Sequence, residues 1–430
     1  MRTIRVGLLG CGIVGGAAAR LLIEHRDDIA LRTGAEVEIA RVAVRSLAKA
    51  RDVEFPDGVL TTDPWEVVQD PDIEIIVEAI GGIEPARDLI LAAAKSGKHV
   101  VTANKELLAT LGRDVMDAAD EAGVDLLFEA AVGGGIPIIR PLKESLAGER
   151  VKRVMGIVNG TTNFILTRMS DTGESFGEAL AEAEQLGYTE LDPSADIEGY
   201  DAASKLAILS SLAFNARVVA GDVAREGIAR VTAGDIKAAA DLGYVVKLLA
   251  VAERSDGEIS ARVHPAMIPK QHPLASVRDV FNAVFVEGEN VGELMFFGRG
   301  AGGGPTGTAV VGDIVEVARN IVTGGRSVGC TCYGTDARIK HQDDARVRYY
   351  LVLSVADQAG VLASVAGVFA QHGVSIASVR QEGAGEGATL ALITHIASEG
   401  EHQLTFRDLA TLPVVKAIET SMRVEGTAEE

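Results

Sequence analysis

The 430-residue sequence predicts an α/β protein of three parts: a doubly wound parallel sheet, a mixed α+β domain and a small C-terminal βαββαβ module. Three observations predict it. Short β-branched runs alternate with helix-spaced stretches up to Glu129, longer helices followed by strands take over beyond Gly133, and a strand, helix, strand, strand, helix, strand order closes the chain. The expected boundaries are residues 1–132, 133–305 and 347–430 for the three domains. A helix at 306–322 is expected to pack back on the first domain, with a linker at 323–346. A hydrophobic content of 47% with 48 glycines and 4% aromatics fits closely packed small elements rather than a disordered chain.

In the first domain the strands are read at Ile4 to Leu9, Val37 to Val44, Ile73 to Ala79, His99 to Thr102 and Asp125 to Glu129. The helical stretches Glu84 to Lys95 and Lys105 to Ala122 stop near Gly97 and Gly123, as helices tend to. Between the first strand and the helix Val14 to His25 lies Gly10-Cys11-Gly12-Ile13-Val14-Gly15, a GxGxxG with strand before and helix after. Gly10 and Gly12 allow a tight turn and close approach to a pyrophosphate, Gly15 allows helix–strand contact, and the helix start supplies partial positive charge. This is the Rossmann-type dinucleotide signature; its plainer alternative is a tight turn without ligand.

An acidic residue ending the second strand would hold the ribose hydroxyls of NAD. Here the sequence reads Arg41-Val42-Ala43-Val44-Arg45-Ser46, with no acid. Arg45, reinforced by Lys49 one helical turn on, would pair with a 2′-phosphate, so NADP(H) is preferred over NAD(H). The long spacing from Gly15 to Arg45 is attributed to an inserted loop at His25 to Glu36; the other reading of Arg45 is a solvated surface charge.

The second domain is read as a helix at Asp196 to Ala213 and strands at Tyr244 to Glu253, Ile259 to His264 and Val280 to Glu287. Lys105 follows the carboxyl end of a strand, where open α/β sheets place ligands, and Asp201 and Lys205 stand four apart on one helix face. Taken singly, Lys105 is equally a helix start, and Asp201 with Lys205 equally a surface ion pair. Together the stretches GLLGCGIVGG, TANK, EAAVGGGIP, GIVNGTTNFIL, GYTELDPSADIEGYDAASK and FGRGAGGGPT resemble homoserine dehydrogenases over nearly the whole chain.

The resemblance implies reversible interconversion of L-homoserine and L-aspartate 4-semialdehyde with NAD(P), the second domain binding substrate, performing catalysis and dimerising. Lys205 is implied as proton donor and acceptor, assisted by Lys105, with Glu190 and Asp201 on the substrate and Tyr188, Asn159 and Thr161 beside it. Thr102, Lys105, Gly187 and Gly303 join Gly10, Gly12, Ile13, Val14, Gly15 and Arg45 at the cofactor, the loop from Gly298 to Thr306 closing over the nicotinamide. Negative charge developing on the carbonyl oxygen during hydride reduction needs a cation or acid nearby, which agrees with paired lysines. The resemblance also implies a monovalent cation, Na⁺ or K⁺, on Glu129 and the carbonyls of Val132, Gly134 and Ile136. A glycine-rich loop is as often a sharp turn.

The last module resembles an ACT domain, with Asp357, Gly360, Val361, Leu362 and Ile376 as the effector residues and threonine as the effector its pathway suggests; a ligand-free oligomerisation module is the alternative. A homo-oligomer, dimer or tetramer, is expected. The formal charge of −20 argues against nucleic acid and anionic membranes as partners. The glycine-divided N-terminus reads as strand, turn and helix rather than a signal peptide, so a cytoplasmic location is expected. Cys11, Cys330 and Cys332 do not suit a disulfide framework. A thiohemiacetal-forming aldehyde dehydrogenase would need an activated cysteine, and none is well placed. A catalytically silent sensor would not need two lysines near carboxylates.

Overall fold

The computed structural model describes residues 1–189, 192–383 and 387–426. The first sheet holds β1 (Arg2–Leu9), β2 (Ala35–Ala43), β3 (Leu60–Thr61), β4 (Ile75–Glu78), β5 (His99–Thr102) and β6 (Leu126–Leu127), all parallel in the order β3-β2-β1-β4-β5-β6. The order reverses between β1 and β4, which opens a crevice at the carboxyl ends of those two strands. Both faces are covered, as near-continuous apolar strands require. Ile4, Val6 and Leu8 of β1 pack with Ala18, Ala19 and Leu22 of the first helix, while Ile76 and Val100 pack with Leu89, Ile90 and Leu107 on the other side. The segment expected as an inserted loop is instead the helix Arg26–Thr33, stopped by Gly34 at φ +75°. Its apolar face is narrow, only Ile29 and Thr33 being buried, so the pattern was faint. β3, two residues long, shows no period at all.

The second sheet begins with β7 (Val151–Ile157), β8 (Ala224–Arg225), β9 (Tyr244–Ser255), β10 (Glu258–Pro269), β11 (Phe281–Gly288) and β12 (Gly292–Arg299). Its main path runs β12-β11-β7-β9-β10. The helix expected from Asp196 to Ala213 is divided into Ser194–Ile197 and Tyr200–Phe214 by Gly199 at φ +82°. β13 (Arg338–Ile339), β14 (Arg346–Val355), β15 (Ile376–Glu382), β16 (Thr389–Thr394), β17 (Ala397–Ser398) and β18 (Val415–Val424) follow. The C-terminal module has the βαββαβ order, but its second helix, which the sequence pattern begins at Thr405, starts six residues earlier and spans Glu399–Leu409. A capping box explains it: Glu401 N donates to Ser398 Oγ (3.2 Å) and Ser398 N to Glu401 Oε2 (2.8 Å).

The second sheet does not stop at the module boundary. β18 pairs in parallel with β10 through Ala266 and Arg423, and Met267 and Val424, so the path continues β10-β18-β14-β16-β15. Charge is buried along this seam. Arg262 pairs with Glu253 and with Glu425 (2.9 Å), and Glu425 also pairs with Arg153. Burial by itself would push the Glu425 carboxyl up, yet Arg262 and Arg153 hold it well below the usual range. Such a cluster is tolerable only when complete, because one missing partner leaves a buried charge uncompensated.

The stretch between the helix Gly303–Thr323 and β14 is packed. Tyr333 is buried beside Gly112, whose added Cβ would lie 2.9 Å from its ring, and Arg113 Nε donates to the Tyr333 carbonyl (2.8 Å). Cys330 and Cys332 are joined as a disulfide, although the three cysteines do not suit a disulfide framework in the sequence. Among the described residues no helix is long and apolar enough to cross a membrane.

The helix Gly303–Thr323 lies on the first helix, Ile13–Glu24, with Val310, Ile314 and Val317 buried in the same core as β1. Gly307 makes the crossing close: an added Cβ would stand 2.9 Å from Ala17 Cβ and 3.0 Å from Ala18 N. Gly307→Val is therefore expected to lower the unfolding free energy by about 1–3 kcal/mol, measured by urea denaturation; an unchanged midpoint would contradict the close crossing.

Candidate functional site

The dinucleotide loop has the geometry its glycines imply. Gly10 sits at φ +99°, and a Cβ there would meet the Ala79 carbonyl oxygen at 2.7 Å. A Cβ on Gly15 would meet the Gly10 carbonyl oxygen at 2.2 Å, whereas one on Gly12 would meet nothing within 4 Å. Two glycines thus close the turn and the third leaves room for a ligand. Gly12 caps the helix Ile13–Glu24, leaving its first N–H groups unpaired by the chain, and Ile13 beside it is exposed while Val14 is half-buried. Gly303 meets this helix end, its would-be Cβ lying 3.2 Å from Ile13, so a second helix N-terminus converges on the same loop.

Beside the loop is a cavity of ≈ 310 Å³ whose basic side chains are Arg20, Lys49 and Arg51. Arg45 is exposed two residues beyond β2 and does not line it. Lys49 does not follow Arg45 on a helix, because the stretch from Val44 to Arg51 is irregular, Arg51 donating to the carbonyls of Ser46 and Lys49. Arg51 was missed in the sequence because it stands six residues past the position where the discriminating residue is sought.

At the carboxyl ends of β4 and β5 the structure adds two residues that sequence reasoning passed over. Glu78 is fully buried. Its Oε1 accepts from Ile80 N (2.9 Å) and Gly81 N (3.1 Å), and its Oε2 accepts from Thr102 Oγ1 (2.6 Å). A single carboxylate therefore ties the loop after β4 to Thr102. Asn104 caps the helix Lys105–Ala122 by accepting from Leu107 N (3.0 Å), and its amide donates to the Gly82 carbonyl (2.7 Å). Lys105 is thereby fixed at the first position of that helix, half-exposed toward the second domain.

Across the crevice, Asp201 is the centre of the arrangement. Lys205 Nζ lies 2.7 Å from Asp201 Oδ2, and Lys105 pairs with Asp201 Oδ1. Two ammonium groups from two domains share one buried carboxylate. Burial alone would push the Asp201 carboxyl up; the two lysines overcome it and hold it well below the usual carboxylate range. Lys205 Nζ also donates to the Val158 carbonyl (2.7 Å). An ammonium has three donors, so one N–H of Lys205 is left for a ligand.

Asn159 caps the helix Gly160–Thr172 by accepting from Thr162 N (2.9 Å), and its amide donates to Asp201 Oδ2 (2.9 Å) and Asp196 Oδ1 (2.6 Å). Thr161 Oγ1 donates to the Tyr188 carbonyl (2.7 Å), and the Tyr188 ring meets Phe164 edge-on at 5.0 Å. Gly187, at φ +72°, turns the chain toward this cluster after the helix Phe176–Gln185. Glu190 lies outside the described residues.

The glycine loop after β6 is organised from its acid. Glu129 Oε1 accepts from Ile138 N (2.6 Å) and Ile139 N (2.8 Å), and Oε2 from Arg140 N (2.9 Å). That leaves Oε2 one lone-pair direction, so Glu129 fits a cation through that direction and its main chain. Gly134, at φ +54°, packs on the Gly300 carbonyl. Asp313, not foreseen, accepts from Glu129 N (2.9 Å) and Arg140 Nη2 (2.8 Å); burial and then the Glu129 charge push its carboxyl up to about 8. No group of three or more His, Cys, Asp or Glu side chains among the described residues suits a metal. Oxygen-only ligation by the Val132, Gly134 and Ile136 carbonyls would suit a hard cation.

In the C-terminal module Gly360, at φ +89°, caps the helix Val361–Gln371. Val361 and Ile376 pack into one core, while Asp357 and Leu362 are exposed on the turn.

Because Asp201 and Lys205 are both buried, Asp201→Asn leaves the Lys205 charge unpaired. It is expected to cost about 3–5 kcal/mol of stability, read by urea denaturation at neutral pH. With the Asp201 carboxyl depressed, the pair's contribution is present above the usual carboxylate pKa and is lost only as pH falls through the lower folded value. The wild type should therefore keep this contribution down to about pH 4, and a loss beginning near pH 6 would contradict the pairing.

Comparison with known proteins is consistent with this geometry. Family models for "Homoserine dehydrogenase, NAD binding domain", "Homoserine dehydrogenase" and "ACT domain" match residues 10–129, 137–315 and 349–412. The homoserine dehydrogenase of Corynebacterium glutamicum is 48% identical over 98% of this chain and 96% of its own length, and that of Bacillus subtilis 42% identical over 99% of each. The crystal structure of a homoserine dehydrogenase from Thiobacillus denitrificans matches with TM-score 0.93 at 42% identity, covering 99% of both chains. A hyperthermophilic archaeal homoserine dehydrogenase in complex with NADPH matches with TM-score 0.63 at 31% identity over 73% of this chain and 97% of the other. With three family models spanning its domains and relatives matched along its whole length, this chain belongs to the homoserine dehydrogenase family.

Proposed function

We propose that the chain is an NADP-preferring homoserine dehydrogenase of the cytoplasm, interconverting L-homoserine and L-aspartate 4-semialdehyde on the route to threonine, methionine and isoleucine, and inhibited by threonine through its ACT domain. The observation that carries the chemistry is the Asp201 carboxylate shared by Lys105 and Lys205 at the crevice between two domains.

The bound nicotinamide supplies the hydride donor or acceptor. On reduction the Lys205 ammonium gives the proton of its remaining N–H to the substrate oxygen and is left as the neutral amine; on oxidation that neutral amine takes the hydroxyl proton and becomes the ammonium again. Lys105 adds positive charge where the oxygen becomes negative. Asp201, kept ionised, holds both lysines in place; Asn159 fixes Asp201, and Thr161 fixes the Tyr188 turn. Glu190 is assigned to the substrate's ammonium group on the family motif. Thr102, held by Glu78, and Gly187 border the nicotinamide end. The pyrophosphate would rest on Gly10, Gly12, Ile13, Val14 and Gly15, and the 2′-phosphate would be held by Lys49 and Arg51 at the cavity beside the loop, with Arg45 outside that cavity adding positive charge from beyond β2.

A Na⁺ or K⁺ ion is assigned to Glu129 and the carbonyls of Val132, Gly134 and Ile136, where it would stiffen the loop against Gly300. Threonine is assigned to the turn Asp357, Gly360, Val361 and Leu362 with Ile376, and a homo-oligomer to the protein in solution.

Lys205→Ala should lower homoserine oxidation on the order of 10²–10³-fold, the usual cost of losing a group that stabilises developing charge, while NADPH still binds by fluorescence titration. Lost cofactor binding, or retained turnover, would contradict the role of Lys205. Removing the phosphate partners in Arg45→Ala/Arg51→Ala should weaken NADP relative to NAD about tenfold or more in kcat/KM; equal losses for both cofactors would contradict the NADP assignment. Threonine should inhibit the wild type, and titration without heat or inhibition would remove the sensing role.

A further inference from the structure

One short segment, from Ala224 to Ile228, touches both the catalytic helix and the C-terminal module. It is held firmly: β8 pairs with β10, Glu226 N donates to the Val263 carbonyl (2.8 Å), and Ile228 N donates to the Ile197 carbonyl (3.0 Å). Gly227 allows the close fit, since a Cβ there would stand 2.3 Å from the Ile197 carbonyl oxygen.

Its two central side chains reach in different directions. The Arg225 guanidinium lies 3.6 Å from the centre of the Tyr200 ring, and Tyr200 opens the helix that carries Asp201 and Lys205. Glu226 Oε2 accepts from Arg423 Nη1 (2.7 Å) on β18, and Arg423 in turn donates through Nε (3.0 Å) and Nη2 (2.8 Å) to Glu399 at the start of the module's second helix. A contiguous chain of contacts therefore runs from Glu399 through Arg423, Glu226, Arg225 and Tyr200 to Asp201. The catalytic helix is launched from Gly199 at φ +82° without a side-chain cap, and Tyr200 is its exposed first residue, ahead of the buried Asp201.

We infer that Arg225 is a positioning residue for the dehydrogenase reaction: stacked on Tyr200, it sets the helix start that presents Asp201 and Lys205, and the Glu226–Arg423 ion pair ties that setting to the C-terminal module. The inference rests on the proton-transfer role proposed for Lys205. Small displacements of a reacting group lower the rate steeply, so even a partly exposed cation–π contact has leverage here.

The test is steady-state homoserine oxidation by the full chain, with NADPH affinity and urea unfolding measured in parallel. Arg225→Ala should lower kcat about fivefold, the fold-change matching one cation–π contact, with NADPH affinity unchanged within about twofold. Arg225→Lys, which keeps a cation over the ring, should restore more than about half of the rate. Tyr200→Ala should match Arg225→Ala, and the double variant should be no worse than either. Glu226→Gln should reproduce part of the kcat loss. A wild-type kcat in Arg225→Ala, losses that multiply in the double variant, or a kcat loss accompanied by equal loss of NADPH binding would overturn the positioning role. Unaltered kcat in Glu226→Gln would overturn the tie to the module. Turnover retained in Lys205→Ala would instead remove the reading beneath it.

Discussion

The structure depends on one buried carboxylate answering to two cations from two domains. Asp201 and Lys205 come from one helix of the second domain, and Lys105 comes from the first position of a helix in the nucleotide-binding domain. A buried carboxylate alone would be protonated or would destabilise the fold, and a buried ammonium alone would shed its proton. Paired with the two lysines, Asp201 stays ionised, and the pairing fastens the two halves of the crevice to each other. The surrounding polar groups serve this arrangement: Asn159 and Asn104 each cap a helix with one side-chain atom and hold a crevice loop or Asp201 with another.

A second constraint is the continuous sheet. Because β18 of the C-terminal module pairs with β10 of the substrate domain, the module is a structural extension of the domain that holds the catalytic helix. The charges along the seam, Arg262, Glu425, Arg423 and Glu399, are too buried to be exchanged for water cheaply. The module is therefore joined to the helix of Asp201 and Lys205 through a continuous sheet and not through a loop alone.

Much of this was legible in the sequence for physical reasons. The GxGxxG loop could be read because its glycines are required by contacts of 2.2 and 2.7 Å that any side chain would violate. Asp201 and Lys205 could be placed on one face because helical spacing fixes it. Lys105 could be joined to them only by resemblance, since the 95 residues between Lys105 and Asp201 carry no periodic signal linking two domains. Glu78, Asn104 and Asp313 were not legible, because a single polar residue at the end of an apolar run looks the same whether it binds backbone, ligand or water. Arg51 was hidden by an irregular segment, and the sheet continuity at β10 and β18 by the lack of any local pattern for pairing between distant strands.

The central claim is that the Asp201 carboxylate holds Lys105 and Lys205 on the substrate's reacting oxygen. A crystal structure of the chain with L-homoserine bound tests it most directly. The hydroxyl oxygen is expected within about 2.6–3.2 Å of Lys205 Nζ, with Asp201 still bridging both lysines. Homoserine seated in another cavity, or a Lys205 ammonium turned wholly onto the Val158 carbonyl and out of reach of the hydroxyl, would contradict it.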